Sequence, residues 1–273
     1  MGKDALKDMV TTLFSGEIVG PIVDILTRNF AKDWLGQMQG IIETFLIPLG
    51  MTMVLIYFLM EVVDHLQFNP TTFEFLLKSF IKLFVGLYVV GNCIQIFIDL
   101  NTAGITLTNN VITKIIGNDG GGVSSGKVNT KAMISLIDKS NTATRIGYLA
   151  WLMIAMIIML GIKLLINFIM YSRLLKQYLM ATFAPIALSD TISGGFNSRG
   201  FKYIKQYLAL CLQGLIILIT VYASSTVIKY INGGGELTAK FTIEFFAAYL
   251  ISQLVVAASI MKSEQIAKEI IGA

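Results

Sequence analysis

Residues 146–170 read IGYLAWLMIAMIIMLGIKLLINFIM, twenty-five positions carrying one charge, Lys163. A bilayer core about 30 Å thick asks for about 20 helical residues, so this run predicts a membrane-spanning helix. Four further runs have the same character: 41–63, 75–100, 207–228 and 241–260. Hydrophobic residues make up 55% of the chain and charged residues 14%, against about 25% charged in a soluble domain. Mean hydropathy is +0.72. The expected fold is therefore all-α, a polytopic membrane helix bundle of about five transmembrane helices.

The segments between the spans complete the layout. In residues 1–40, Ala5, Met9 and Leu13, then Ile18, Ile22, Ile25 and Leu26, recur at helical spacing and predict an amphipathic N-terminal region. Charges interrupt that region throughout, so no cleavable leader is expected there. The central segment 101–145 reads as a polar loop around the glycine-rich linker 117–126, with short helices on either side. Residues 178–188, with Pro185, form an apolar piece too short to cross, which predicts a re-entrant, interfacial or core-buried segment. It lies within a basic segment, 173–205, and a short charged tail, 261–273, closes the chain.

The orientation follows from lysine and arginine near span ends. Lys78, Lys82, Arg173, Lys176, Arg199, Lys202, Lys205, Lys262 and Lys268 fall on one side in short loops. The other cations spread over the N-terminal region and longer loops, so the C-terminus is expected inside and the N-terminus outside.

Catalytic chemistry has few residues to use. The single histidine, His65, and the two cysteines, Cys93 and Cys211, form no CxxC or metal-ligand spacing. Gly121-x4-Gly126-Lys127 imitates a phosphate-binding loop, yet Val128 stands where the motif needs Ser or Thr. The chain is read as a non-enzyme with no cofactor and no metal.

Polar residues in or beside the spans are the candidates for function, because a charge in hydrocarbon is costly unless it faces a bundle interior or water. Lys163 and Asn167 stand four apart and share a helix face. With Arg173, Lys176, Pro185, Lys205 and Gln213 they are the candidate subunit or channel contacts. Lys163 also has a plainer reading, in which it snorkels to headgroups. Lys114, Lys127, Lys131, Lys139 and Arg145 are the candidate substrate-loop charges, able to attract phosphate in a salt-sensitive way. Solvating the loop is their plainer role.

One stretch carries a resemblance. Residues 173–188, RLLKQYLMATFAPIAL, are followed by Gly194, Gly195 and Gly200 and then by YIKQYLALCLQG at 203–214. A basic helix end, an apolar turn with proline, a glycine-rich bend and a helix opening of this kind resemble the TrbL-like inner-membrane channel subunits of type IV secretion and conjugation systems. The resemblance is strongest over about 146–228. It implies a bacterial inner-membrane component that helps single-stranded DNA or protein through the membrane, alongside secretion ATPases and other envelope subunits. Five helices can hardly enclose a pore for DNA, so a conduit implies a homo-oligomeric ring in membrane lipid. Two other readings stand beside it, a small-solute or lipid transporter and a non-conducting scaffold of a secretion complex.

Overall fold

The computed structural model describes residues 3–14, 19–27, 30–68, 73–116, 131–139, 141–191, 198–231 and 243–273. Of the described residues 96% are helical and none is in a strand, so the all-α expectation holds. Three helical stretches are long and apolar enough to cross a membrane: Gly36–Gln67, Thr144–Thr182 and Arg199–Ala223. A bent pair, Phe73–Gly91 with Cys93–Lys114, passes the same test as one broken span. The fifth expected span begins at 241 and 242, outside the described residues.

In chain order the helices are α1 (Lys3–Phe14), α2 (Val19–Thr27), α3 (Phe30–Ile41), α4 (Ile47–Phe68), α5 (Phe73–Gly91), α6 (Cys93–Ile116), α7 (Lys131–Lys139), α8 (Thr142–Thr182), α9 (Ala184–Leu188), α10 (Arg199–Ile231) and α11 (Ile243–Ile271). A π-turn, Ile42–Leu46, joins α3 to α4, and the Ile47 N–H reaches back five residues to the Ile42 carbonyl. It absorbs Pro48, which has no N–H to offer the ladder.

The helix lengths depart from the apolar windows for physical reasons. The run at 75–100 is two helices, α5 and α6, meeting at 64°. At the break the Asn92 side chain donates to the Tyr88 carbonyl at 2.9 Å, as does its own backbone N–H at 3.0 Å. Gly91 beside it lowers the cost of the bend. Beyond residue 100, where a polar loop is expected, α6 continues to Ile116. Its threonines bond back along the helix, Thr102 to the Ile98 carbonyl and Thr106 to the Thr102 carbonyl, both at 2.8 Å. At 41 residues, α8 is about 60 Å long, twice the hydrocarbon core. It stops at Phe183 because Pro185 follows, and Pro185 then opens α9, where a missing N–H costs little.

The chain divides into two compact units. Unit 1 is Met1–Thr27, Thr108–Tyr171 and Leu215–Ser263; unit 2 is Arg28–Leu107, Ser172–Gly214 and Glu264–Ala273. In unit 1, Leu6, Val10 and Leu13 of α1 are buried with Ile22 and Leu26 of α2 and Leu152, Met159 and Ile166 of α8. The buried stripe of α1 thus lies one residue on from Ala5 and Met9, which are half-buried. Lys7 ties α1 to Asp138 of α7 at 2.8 Å.

Unit 2 packs Ile42, Val54, Leu83, Val90, Phe97, Ala184, Leu188 and Tyr207 into one core. The apolar piece 178–188 is therefore core-buried here: its first residues finish α8, and Ala184, Pro185 and Leu188 of α9 are buried. An ion pair between Lys82 and Glu61 joins α5 to α4. The outward faces of α4, α5 and α8 carry large apolar residues, among them Phe84, Tyr88 and Phe168. Such faces suit lipid rather than water.

Candidate functional site: a buried guanidinium on the α8–α10 seam

The basic segment folds into a seam within unit 2. Arg173 and Gln177, four apart, occupy one face of α8, and Tyr203, Tyr207, Leu210, Cys211 and Gly214 line the facing side of α10. Arg173 is only 7% exposed. Its Nε–H donates to the Leu210 carbonyl at 2.9 Å, and Nη2 reaches the Cys211 carbonyl at 3.5 Å. Among the described residues no carboxylate lies within ion-pair distance of it. A buried ion costs several kcal/mol in desolvation, and here helix carbonyls offset that cost. The planar, forked guanidinium suits this role better than a lysine ammonium.

Gly214 makes the approach possible. A Cβ built there would stand 2.8 Å from Nη2 and 3.0 Å from Cζ of Arg173. Around this core the contacts continue down the seam. Gln177 Nε2 lies 3.8 Å from Cys211 Sγ, and Tyr203 donates to the Met180 carbonyl at 2.9 Å. The Tyr207 hydroxyl donates to the Phe97 carbonyl of α6 at 3.2 Å, with the two rings 4.3 Å apart. Gln213, one residue before the glycine, is buried on α10.

The entry to α10 is equally specified. Ser198 caps it, accepting from the Phe201 N–H at 3.2 Å, and Asp190 accepts from the Arg199 N–H at 3.2 Å. An acceptor at the first turn and a carboxylate beside the positive helix end both favour starting the helix here. That is why α10 begins eight residues before the apolar window at 207.

On the exposed side of α8, Lys176 pairs with Glu264 of α11 at 2.5 Å, and Lys268 holds the other carboxylate oxygen at 2.9 Å. Burial alone would raise the Glu264 carboxyl, but the hydrogen bonds and charges of the two lysines outweigh it. They hold the group below its ordinary value of 4.5. A carboxylate depressed in this way stabilises the fold fully above its ordinary value and loses that contribution as pH falls through the folded value. The thermal stability of the detergent-solubilised protein should therefore fall as pH drops below about 4.5. Glu264→Gln is expected to unfold earlier at neutral pH and to flatten that acid limb. An unchanged limb would remove the pair from the stability account.

The other candidate residues fall elsewhere. Pro185 is buried in α9 of unit 2, and Lys205 lies half-exposed with its ammonium 5.5 Å from the Phe201 ring. Lys163 and Asn167 are half-buried on the part of α8 that belongs to unit 1. Lys114, Lys131 and Lys139 are exposed and Arg145 is half-buried, all four in unit 1. Lys127 lies outside the described residues. The spacing of Arg173 with Gln177 and of Tyr203, Tyr207 and Gly214 carries the seam's periodicity. Gly214, Tyr207 and Glu264 are the seam members that a search for charges in spans passes over.

A family model described as TrbL/VirB6 plasmid conjugal transfer like protein matches residues 20–185. The chain belongs to this family. The match takes in Arg173, Lys176 and Pro185 and ends before Tyr203–Gly214, so the TrbL/VirB6 likeness reaches further upstream than the motif-bearing stretch and less far downstream. No curated protein and no solved structure matches the chain. Membership makes the chain a component of a conjugal transfer system and a membrane protein, with other subunits of that system as its associates.

Proposed function

We propose that this TrbL/VirB6 family chain is a channel or platform subunit of a type IV secretion machine for conjugative DNA transfer. It sits in the bacterial cytoplasmic membrane, N-terminus out and C-terminus in, and helps DNA or protein substrate across. The family match over 20–185 carries the reading, since it spans the apolar helices α4 to α6 and all of α8. A homo-oligomer is needed, because one chain offers too few helices to surround a nucleic acid strand. Exposed Lys114, Lys131 and Lys139, with Arg145, supply cationic charge to which phosphates are drawn. On the basic segment Lys176 and Lys205, with Asn167 earlier on α8, offer contacts to sister subunits or secretion ATPases, and Arg173 and Gln213 set the seam that positions them.

Deleting the gene in frame from a donor is expected to abolish mating, and plasmid-borne expression to restore it. Undiminished mating would defeat the proposal and bring the solute transporter forward. The basic segment has its own test, using Lys176→Glu alone and combined with Glu264→Lys. The single change is expected to lower transfer at least about tenfold, the equivalent of 1.4 kcal/mol of lost contact. The swapped pair should restore protein level but not transfer. Full recovery of transfer would make Lys176 a purely internal residue.

A further inference from the structure

We infer that unit 1 carries a binding site for an anionic phospholipid, one acyl chain lying along α8 and the headgroup phosphate on Lys163. A cleft of about 300 Å³ opens between α1 and α8, lined by Leu13, Met153, Met156, Ile157, Leu160 and Lys163. On α8 these positions fall three and four apart and form one stripe. From Met153 to Lys163 the stripe is about 15 Å long, enough for much of an acyl chain. Its floor is aliphatic and thioether, and methionine adapts to a flexible, irregular occupant better than branched side chains do. Met153, Ile157 and Leu160 stay largely exposed around it.

The charge decides the occupant. Lys163 makes no ion pair or hydrogen bond among the described residues. It stands in a helix that is otherwise uncharged from Ile146 to Tyr171. An ammonium on a membrane helix is costly unless it reaches water or a counter-charge. A lipid phosphate at the end of an apolar groove supplies that counter-charge, and the bilayer holds such molecules at high local concentration. The described spans carry exposed carboxylates at Glu43, Asp64 and Asp99, so a second copy of the chain is the competing occupant that the test below separates. A zwitterionic lipid fills the groove but returns a positive charge to the site.

The test uses the full-length protein in mixed-lipid nanodiscs or detergent. Phosphatidylglycerol and phosphatidylcholine compete for retention, read by native mass spectrometry. A photoactivatable acyl analogue of phosphatidylglycerol maps the contact. The wild-type chain should retain phosphatidylglycerol about fivefold over phosphatidylcholine, the bias one basic residue gives. Cross-links should fall on the peptides holding Leu13 and Met153–Leu160. Lys163→Arg should keep the bias, whereas Lys163→Gln should bring it near unity while cross-links to the apolar wall persist. Equal retention by the wild type overturns the site, as does a bias untouched by Lys163→Gln or cross-links confined to other helices. Should the glutamine variant fail to insert, the wild-type cross-link map decides alone. A protein occupant would show as phosphatidylglycerol-independent protection of the groove, which also overturns it.

Discussion

Gly50→Val is expected to leave little folded protein, and Gly50→Ala to lower the unfolding temperature by about 10 °C, as about 3 kcal/mol does in a chain of this size. A Cβ at Gly50 would stand 2.5 Å from the Pro185 carbonyl oxygen, 2.8 Å from its carbonyl carbon and 3.0 Å from Val90 Cγ1. Two of those three atoms are backbone, so relief requires α9 to move away from α4, and the buried Ala184, Pro185 and Leu188 move with it. Overpacking of this kind costs about 1–3 kcal/mol and more when the backbone is the obstacle. The sign makes the test sharp. In an open helix interior, Gly→Ala gains up to about 1 kcal/mol, and Gly161 has nothing within 4 Å of its Cβ position. Gly161→Ala is therefore expected to be neutral or stabilising in the same assay. Equal behaviour of the two alanine variants would mean that α4 and α9 are not in contact at Gly50.

The second large effect lies at the seam. Gly214→Ala should displace the Arg173 guanidinium, whose nitrogens would be 2.8 and 3.0 Å from the new methyl. The guanidinium is the end of a flexible side chain, so the backbone need not move. It is nonetheless buried and bonded to the Leu210 carbonyl at 2.9 Å. Displacement breaks that charge-assisted bond, a loss of about 1.5–3 kcal/mol. Arg173→Met fills much of the same volume without the charge, and a change of this kind can be near neutral in a buried site. In the Arg173→Met background the methyl at 214 has room, so its cost should fall. A double-mutant cycle is expected to give a coupling of about 1–3 kcal/mol. Arg173→Lys should not substitute, because an ammonium cannot reproduce the fork. Strictly additive effects would separate Arg173 from Gly214 and dissolve the seam.

The general form of this protein, all-α and membrane-spanning, was legible in residues 146–170 and in the other apolar runs. The span expected to end at 170, however, continues in α8 to Thr182, two residues before the helix that Pro185 opens. The candidate Arg173 was legible too, as a charge at a helix end. What it does was not, since its carbonyl acceptors sit on a helix 37 residues away in sequence and periodicity shows faces without showing which faces meet. Residues 101–116 read as the start of a polar loop with a short helix of its own, separate from the span before it, because threonine and asparagine favour turns. In α6 the hydroxyls of Thr102, Thr106 and Thr113 bond to carbonyls one turn back, which removes their competition with the helix. The start of α10 was hidden because Ser198 and Asp190, which fix it, lie outside the apolar window.

The reading of this TrbL/VirB6 family chain as part of the transfer conduit turns on whether moving DNA touches it. The deciding measurement is cross-linking in donor cells during mating, followed by capture of the chain and quantification of the transferring strand. The strand is expected to be recovered with the chain only during active transfer, and its recovery to fall when Lys131 and Lys139 are both changed to glutamine. Normal mating with no transferring strand on the chain would contradict that reading, and would leave a membrane scaffold in place of a conduit.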